Sequence, residues 1–269
     1  MRSSYQAVSI TNLNVKEFPS RIEHPSDTRD QVHYLDAASK ITMVNNAGVI
    51  TSTEGEVFDI ELETDILKAN KELALENHRV MKEHGITSID VMGSVGSGKT
   101  SLIKAMVSIL KNRYRIAVIE GDVTTTIDAD LIAAENIPTV QVNTGKECHL
   151  DANLIKKALA RLKLNELNLI FIENVGNLIC PAEFPLGSEK RLVVISVTEG
   201  PYMVVKHPMM FIEADTVAIN KIDLAELMDV DPSRLKRDIA TINPKACVVS
   251  ISCRRNSGIA EIGRSLGLD

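Results

Sequence analysis

Tryptophan is absent from this chain, and Phe and Tyr together make up only 3% of its residues. A core without large rings must be built from aliphatic residues, and a hydrophobic share of 44% in 269 residues suffices for one large α/β domain with an appendage. Four cysteines are too few for a disulfide framework in a chain of this length. We therefore expect reduced thiols in a cytoplasmic protein.

The sequence also lacks a long apolar run and a cluster of basic residues. No stretch approaches the roughly 20 apolar residues that a membrane-spanning helix needs. The first residues lack the apolar core of a secretory signal. The net charge is −6, which argues against a nucleic-acid surface or a polybasic membrane patch. We expect neither a nucleic-acid partner nor a membrane partner.

Two regions of the chain differ in pattern. Residues 1–58 are polar with short apolar segments, and we interpret them as an N-terminal extension that is partly disordered or forms a small hairpin-like appendage. Residues 59–269 carry the pattern of a folded domain. This domain opens with a predicted amphipathic helix that stops at Gly85, because apolar residues recur there every seven positions, at Ile66, Leu73 and Val80.

Beyond this helix, short apolar runs alternate with helical patterns. Near-continuous apolar strands separated by helices predict an α/β fold with a mostly parallel sheet and helices on both faces. Ligands of such sheets bind beyond the carboxyl ends of the strands. The predicted strands lie at residues 86–92, 116–119, 139–142, 169–172, 192–195, 216–219 and 246–251.

A glycine-rich segment between the first of these strands and a helix has the pattern of a phosphate-binding P-loop. Its backbone N–H groups can turn inward around phosphate oxygens, and the following helix adds positive potential. Lys99 can reach the β- and γ-phosphates, and the Thr100 hydroxyl can bind Mg²⁺. An ordinary Gly/Ser turn rarely matches all the fixed positions in this context, so we predict nucleoside triphosphate binding. The predicted contacts are Gly93, Ser94, Val95, Gly96, Ser97, Gly98, Lys99, Thr100 and Ser101.

The base of the nucleotide is predicted from a second loop. Asn220, Lys221 and Asp223 follow a predicted strand, and a carboxylate there can accept two hydrogen bonds from the edge of guanine, which adenine cannot donate. Ser252 and Cys253, after the last strand, suit a second base-contacting loop. The predicted nucleotide is GTP.

Acidic residues near the P-loop predict a Mg²⁺ site and a switch. Glu173 can hold Mg²⁺ through water, and the N–H of Gly176 can sense the γ-phosphate. Asp122 and Asp128 follow the strand at residues 116–119 and lie where a first switch is expected. Each can contact Mg²⁺ directly or through a second shell, or can instead cap a helix.

Three residues suit a softer metal. Cys148, His149 and Cys180 offer thiolate and imidazole ligands, which suit Ni²⁺ or Zn²⁺ and not Mg²⁺. Three ligands do not fill a structural tetrahedral site, which implies an open position or a site shared across a symmetric dimer. The alternative is that both cysteines are half-buried apolar residues and His149 begins a helix. Cys247 lies within a strand and is expected in the core.

Four segments of the chain resemble the HypB family of hydrogenase nickel-incorporation GTPases, which belong to the SIMIBI class of P-loop proteins. The likeness covers roughly residues 60–269, and the Cys-His and Asn-Leu-Ile-Cys-Pro sequences are highly specific to this family. The matching segments are residues 93–100, 143–152, 173–182 and 196–200.

The resemblance implies a homodimer that forms with GTP bound and hydrolyses GTP slowly. It also implies delivery of Ni²⁺ to the large subunit of [NiFe] hydrogenase with a HypA-type nickel chaperone. Cys148, His149 and Cys180 would bind metal at the dimer interface, and Asp128 and Glu173 would assist Mg²⁺. We assign catalytic roles to Lys99, Asp128 and Glu173.

The chain departs from the family in two places. Residues 1–58 carry neither the His-rich stretch nor the Cys-rich motif of some members, so N-terminal nickel storage is not expected. Pro201 and Tyr202 follow Gly200 where the family has acidic residues. A urease-type nickel accessory GTPase is one alternative, although that family carries a Cys-Pro-His motif. A regulatory GTP-binding switch without metal cargo is the other.

Overall fold

The computed structural model describes residues 44–45, 48–49, 56–122, 137–144 and 149–268, with side chains from residue 65 onward except that of Asp122. Strand β1 (Val44–Asn45) pairs with β2 (Gly48–Val49) in antiparallel register, as in a small hairpin. Residues 56–58 of the predicted extension begin helix α1 (Glu56–Glu83), and the other residues of the extension lie outside the described ones. The domain boundary at residue 58 therefore stays a prediction.

Helix α1 (Glu56–Glu83) confirms the helix predicted to end before Gly85, but the residues of its seven-residue recurrence are not the buried ones. Ile66 is 51% exposed, and Leu73 and Val80 are only half-buried. The buried positions are instead Asn70, Ala74, Asn77 and Met81. Two of these side chains are amides that bond backbone groups of distant loops, so apolar periodicity alone could not locate this face.

Within the described residues, seven strands form one sheet, and every neighbouring pair is parallel. The order across the sheet is β5-β4-β6-β3-β7-β8-β9. All seven predicted strands are confirmed, with small shifts of their ends. They are β3 (Thr87–Met92), β4 (Ile116–Asp122), β5 (Thr139–Asn143), β6 (Leu169–Glu173), β7 (Lys190–Ser196), β8 (Thr216–Asn220) and β9 (Cys247–Ser250).

Helices cover both faces of the sheet, as predicted. On one face, α2 (Lys99–Leu110) and α8 (Ile259–Ser265) pack on aliphatic residues of the central strands and on Phe171. On the other face, α1 and α3 (Ala152–Leu159) cover β4 and β6. Three helices cover β7 and β8 there, namely α5 (Met203–Lys206), α6 (Met209–Ile212) and α7 (Pro232–Ile242). The short helix α4 (Cys180–Glu183) follows β6.

The parallel arrangement brings the carboxyl ends of the strands to one edge of the sheet. The chain leaves β3 toward β4 and leaves the neighbouring β7 toward β8, so these connections diverge and open a crevice above β3 and β7. The P-loop follows β3 and therefore lies in this crevice. Among the described residues, no helix is both long and apolar enough to cross a membrane.

Candidate nucleotide site and metal segments

The P-loop is held close to the sheet by Gly93. This residue has φ of 150°, and a Cβ atom there would collide with the carbonyl oxygen of Val194 in the adjacent strand β7. Lys99, the first residue of α2, is buried, and its Nζ donates to the carbonyl oxygens of Gly93 at 3.2 Å and Ser94 at 3.1 Å. The ammonium group thus lies inside the loop. The first amides of α2, including those of Thr100 and Ser101, have no carbonyl partner within the helix and can bind phosphate oxygens.

Glu173 links the end of β6 to the start of α2. The hydroxyl of Thr100 donates to Glu173 Oε1 at 2.8 Å, and the Glu173 side chain is buried. A hydroxyl and a carboxylate are hard oxygen ligands, so these two residues fit the predicted Mg²⁺ site. Asp122 ends β4, but its side chain is not described, and Asp128 lies outside the described residues.

The predicted switch crosses the P-loop. The backbone of Asn177 pairs with that of Gly93, and Gly176 lies against Val95. A Cβ atom on Gly176 would be only 2.9 Å from the backbone nitrogen of Val95, so any larger residue would displace one of the two segments. The structure thus places Gly176 beside the loop that would hold the phosphates.

The loop predicted to read the base is braced against the P-loop. Asn220 Nδ2 donates to the carbonyl oxygen of Ser97 at 2.9 Å. Asn220 Oδ1 accepts from the backbone N–H groups of Lys221 at 2.7 Å and Cys253 at 3.2 Å. Lys221 Nζ donates to the carbonyl oxygen of Gly96 at 2.6 Å. The structure therefore brings both predicted base loops onto the same side of the P-loop.

Asp223 is oriented by the other base loop. Ser252 donates its hydroxyl hydrogen bond to Asp223 Oδ1 at 2.5 Å, and this bond holds the pKa of Asp223 below its usual range. The ionised carboxylate is an acceptor only, as guanine recognition requires. Burial raises the pKa of the Cys253 thiol to about 11, so this side chain stays neutral. Cys253 contributes its backbone N–H to the brace on Asn220.

The structure brings the segments that carry His149 and Cys180 together. The His149 ring packs on Phe184 with 3.9 Å between ring centroids, and Phe184 directly follows helix α4, which begins at Cys180. Asn177 Nδ2 lies 3.4 Å from Cys180 Sγ, so the switch also contacts this thiol. Among the side chains that the structure describes, no group of three His, Cys, Asp or Glu residues is placed to hold a metal ion. Cys148 lies outside them.

One predicted position for a cysteine is wrong. Cys247 was expected in the core because it lies in a strand, but the residue is exposed. It is the first residue of β9, the strand at the edge of the sheet, and only the later Val249 is buried there.

Glu199 is a site residue that the sequence analysis missed. Its Oε1 accepts from the Ser94 hydroxyl at 2.7 Å and from the Ser196 backbone N–H at 3.1 Å. Its Oε2 is buried with no hydrogen-bond partner among the described residues, and burial raises the pKa of this carboxyl. The signal was an acidic residue three positions after the end of a buried strand. Tyr202, which stands where the family has an acidic residue, has its ring centroid 4.6 Å from the guanidinium carbon of Arg234.

Asp90 and Asn174 were also missed, because neither stands out in sequence. Asp90 lies in the middle of β3, and burial raises its pKa to about 6, although the nearby Arg191 opposes this shift. Asn174 is buried beside Glu173, and its Nδ2 donates to Asp90 Oδ1 at 3.3 Å. A carboxylate between the apolar residues Ile89 and Val91 of β3 is the feature that could have identified the pair.

The parallel sheet, the P-loop after β3, the acidic residue at the end of β6 and the Asn-Lys-x-Asp loop after β8 define a P-loop nucleotide-binding protein. Residues 87–250 match the family described as CobW/HypB/UreG, nucleotide-binding domain, and the chain belongs to this family. The predicted nucleotide binding is thereby confirmed, while the bounds of the domain stay a prediction.

Within this family, the individual relatives that the chain resembles are HypB proteins. The chain is 48% identical over 203 residues to the probable hydrogenase maturation factor HypB of Methanocaldococcus jannaschii, with 76% of this chain and 92% of that protein covered. The crystal structure of hydrogenase maturation factor HypB from Archaeoglobus fulgidus matches with a TM-score of 0.70 and 40% identity, covering 74% of this chain and 98% of that one. HypB from Helicobacter pylori, crystallised in complex with nickel, matches with a TM-score of 0.70 and 33% identity, covering 74% and 93%. The predicted resemblance to HypB is confirmed.

Proposed function

We propose that this protein is a GTP-hydrolysing metallochaperone that helps to insert nickel into [NiFe] hydrogenase. It acts in the cytoplasm as a homodimer that forms with GTP bound, receives help from a HypA-type nickel chaperone and delivers metal to the hydrogenase large subunit. The relatives support this proposal, since they are named hydrogenase maturation factors and one was crystallised with nickel.

We call the P-loop, Thr100, Glu173 and the loop at residues 220–223 the nucleotide half of the site, and the proposed ligands Cys148, His149 and Cys180 the metal half. The observation that carries the proposal is that one short segment, residues 173–180, belongs to both halves. Glu173 bonds Thr100 at the start of α2, and Gly176 lies against Val95 in the P-loop. Cys180 follows only four residues later and begins helix α4. A change at the γ-phosphate that moves Gly176 therefore moves the Cys180 thiol through a few residues of backbone.

The nucleotide half works by positioning and charge. Lys99 and the amides at the start of α2 bind the phosphates, while Asp223 reads the guanine edge. Thr100 and Glu173 would hold Mg²⁺, which would supply positive charge near the phosphates. Glu173 accepts a hydrogen bond from Thr100 at 2.8 Å, which keeps both oxygens at the phosphate end of the site. We expect intrinsic hydrolysis to be slow, so that the bound triphosphate acts as a timer.

The metal half holds the cargo. Cys148, His149 and Cys180 supply two thiolates and an imidazole, a donor set that accepts Ni²⁺ or Zn²⁺. The stacking of His149 on Phe184 keeps the imidazole near the segment that carries Cys180. Because three ligands leave a tetrahedral site unfilled, a second protomer can complete the site across a two-fold axis.

The test is to measure Ni²⁺ and Zn²⁺ affinity of the untagged, full-length protein with Mg²⁺ and either a non-hydrolysable GTP analogue or GDP. We expect the two nucleotide states to differ in metal affinity by about 5- to 150-fold, the usual range of coupling between two sites. Cys148→Ala should remove tight binding in both states, while the exposed Cys247→Ala should leave it unchanged. Equal affinities in both states would contradict the coupling.

Hydrolysis and metal content separate this function from a regulatory switch. We expect GTP to be converted to GDP and phosphate slowly, with Ni²⁺ shifting the dimer population in size-exclusion chromatography. A protein that binds GTP but takes up no stoichiometric metal on Ni²⁺ addition would instead be a nucleotide switch without cargo.

A further inference from the structure

Asn174 joins the nucleotide switch to the segment that follows Cys148 and His149. The residue lies directly after Glu173 and is 1% exposed. Its Oδ1 accepts from the backbone N–H of Leu150 at 3.2 Å and from its own neighbour Val175 at 3.0 Å. Its Nδ2 donates to Asp90 on β3 at 3.3 Å. One buried amide thus contacts the sheet, the switch and the residue after His149.

The hydrogen bond to Leu150 transmits a movement of Asn174, because breaking this bond would cost free energy. Leu150 is completely buried, so its N–H group has no access to water if Asn174 moves away. A shift of the backbone at residues 173–176 must then either strand this donor or carry Leu150 along. Carrying Leu150 along displaces the adjacent His149.

Helix α1 provides the fixed side of the arrangement. Asn70 Oδ1 accepts from the Ala152 N–H at 2.8 Å, and Asn70 Nδ2 donates to the Pro185 carbonyl oxygen at 2.9 Å. Asn77 Nδ2 donates to the carbonyl oxygens of Ala152 at 2.8 Å and Leu186 at 3.2 Å. These two buried amides tie both metal-carrying segments to α1, at points beyond the proposed ligands.

We propose that Asn174 is a positioning residue that transmits the nucleotide state to His149, while Asn70 and Asn77 hold the far ends of the segments that carry His149 and Cys180 in place. The proposal rests on the metallochaperone function above and adds a second route to it. The backbone from Gly176 to Cys180 moves one proposed ligand, and the Asn174 side chain moves His149. Both routes start from the segment that contacts the P-loop.

The experiment compares Asn174→Ala with Asn77→Ala in the full-length protein. Ni²⁺ affinity is measured by competition with a chromophoric chelator, with Mg²⁺ and either a GTP analogue or GDP. We expect Asn174→Ala to bring the ratio of the two affinities at least about threefold closer to one than in the wild-type protein. Asn77→Ala should weaken Ni²⁺ binding equally in both states and keep the wild-type ratio.

Exchanging the residue types at positions 90 and 174 tests whether the affinity ratio can be rescued. Asn174→Asp alone places a second carboxyl against Asp90 and should lose the ratio as Asn174→Ala does. The double variant Asp90→Asn/Asn174→Asp restores a donor at position 90 and acceptors at position 174, and should regain most of the ratio. Thermal unfolding followed by circular dichroism checks that each variant is folded.

We call the proposed transmission through Asn174 the relay. The outcomes distinguish the relay from the metallochaperone function on which it rests. A wild-type ratio in Asn174→Ala, or a swap that regains no coupling, overturns the relay and leaves the metallochaperone function standing. Equal loss of the ratio in Asn174→Ala and Asn77→Ala also overturns it, because both residues would then be only structural supports. A wild-type protein with equal affinities in both states overturns the proposed coupling and the relay with it.

Discussion

The nucleotide half and the metal half of this edge of the sheet are built in different ways. The nucleotide half consists of residues at strand ends that bond the P-loop and the start of α2, as Asn220 does with Ser97 and Glu173 with Thr100. In the metal half, the described residues depend on amides from elsewhere, with α1 holding Ala152 and Asn174 holding Leu150. The first half is fixed by sheet topology, and the second is positioned by side chains.

The largest effect is expected from removing the buried ammonium group of the nucleotide half. Lys99→Ala should lower GTP affinity and hydrolysis by on the order of 100-fold or more, since this charge lies inside the phosphate loop and faces the reacting phosphates. Ni²⁺ affinity without nucleotide should stay at the wild-type value, because the metal half is held by α1. Fluorescent GTP-analogue binding and phosphate release measure the first effect, and chelator competition measures the second.

Lys104→Ala, later on the same helix, is the matched control for charge. It should change neither nucleotide nor metal binding. If Lys99→Ala also weakened Ni²⁺ binding in the absence of nucleotide, the two halves would not be separable in the way that the contacts indicate.

The next effect tests the base-reading part of the nucleotide half. Asp223→Asn replaces an acceptor-only carboxylate with an amide that can offer one donor, so GTP affinity should fall about 10- to 100-fold. The same amide can donate to the 2-oxo group of xanthine, so the affinity for XTP should rise. Competition of GTP and XTP for the same fluorescent analogue gives both numbers. A parallel loss for both nucleotides would mean that Asp223 supports the loop and does not read the base.

The difference between the two halves also explains how much of the structure could be predicted from the sequence. The strand–loop–helix order and the apolar runs dictate the parallel sheet, and parallel strands place Lys99, Glu173 and Asp223 at one edge without further information. The nucleotide half is therefore predictable from local patterns. The fold was predictable for the same reason, down to strand ends within a few residues.

The metal half was less predictable because its supports are long-range. Asn70 and Asn77 look like interruptions of an apolar stripe, and the seven-residue recurrence of Ile66, Leu73 and Val80 does not mark the buried residues of α1. Their partners are backbone groups 82 to 115 residues away for Asn70 and 75 to 109 residues away for Asn77, and no sequence spacing specifies these contacts. Glu199 was missed similarly, because its partner Ser94 lies 105 residues away.

A smaller effect is expected at the junction of the two halves, where Asp90 accepts from Asn174. The native pKa of about 6 lies above the ordinary value of 3.8, so the native carboxyl binds its proton more tightly than the unfolded chain does. Its contribution to stability is therefore complete below about pH 4 and is lost as the pH rises through 6, by on the order of 3 kcal/mol. Asp90→Asn cannot ionise and should escape this loss, while its amide oxygen can still accept from Asn174.

Urea unfolding of Asp90→Asn and wild type at several pH values measures this difference. Far-ultraviolet circular dichroism is the suitable signal, because the chain has no Trp. The variant should gain stability relative to wild type between pH 4 and 7, and the gain should stay constant above pH 7. Curves that run parallel over the whole range would show that Asp90 does not titrate in this window.

The smallest effect is expected at Glu199, which lies outside the sequence motifs of both halves. Its Oε1 accepts a hydrogen bond from the hydroxyl of Ser94 in the P-loop at 2.7 Å. Its carboxylate is mostly buried near the site of the phosphates, and Lys99 and Lys221 are the cations that favour its ionised form. Removing this negative charge in Glu199→Ala should strengthen binding of the triphosphate by a few-fold, about what a partly screened charge contributes. The gain should exceed that for GDP, since GTP carries more charge, and should shrink in high salt. Weaker binding in Glu199→Ala would instead mean that Glu199 is needed to hold Ser94 and the P-loop in the conformation that binds phosphate.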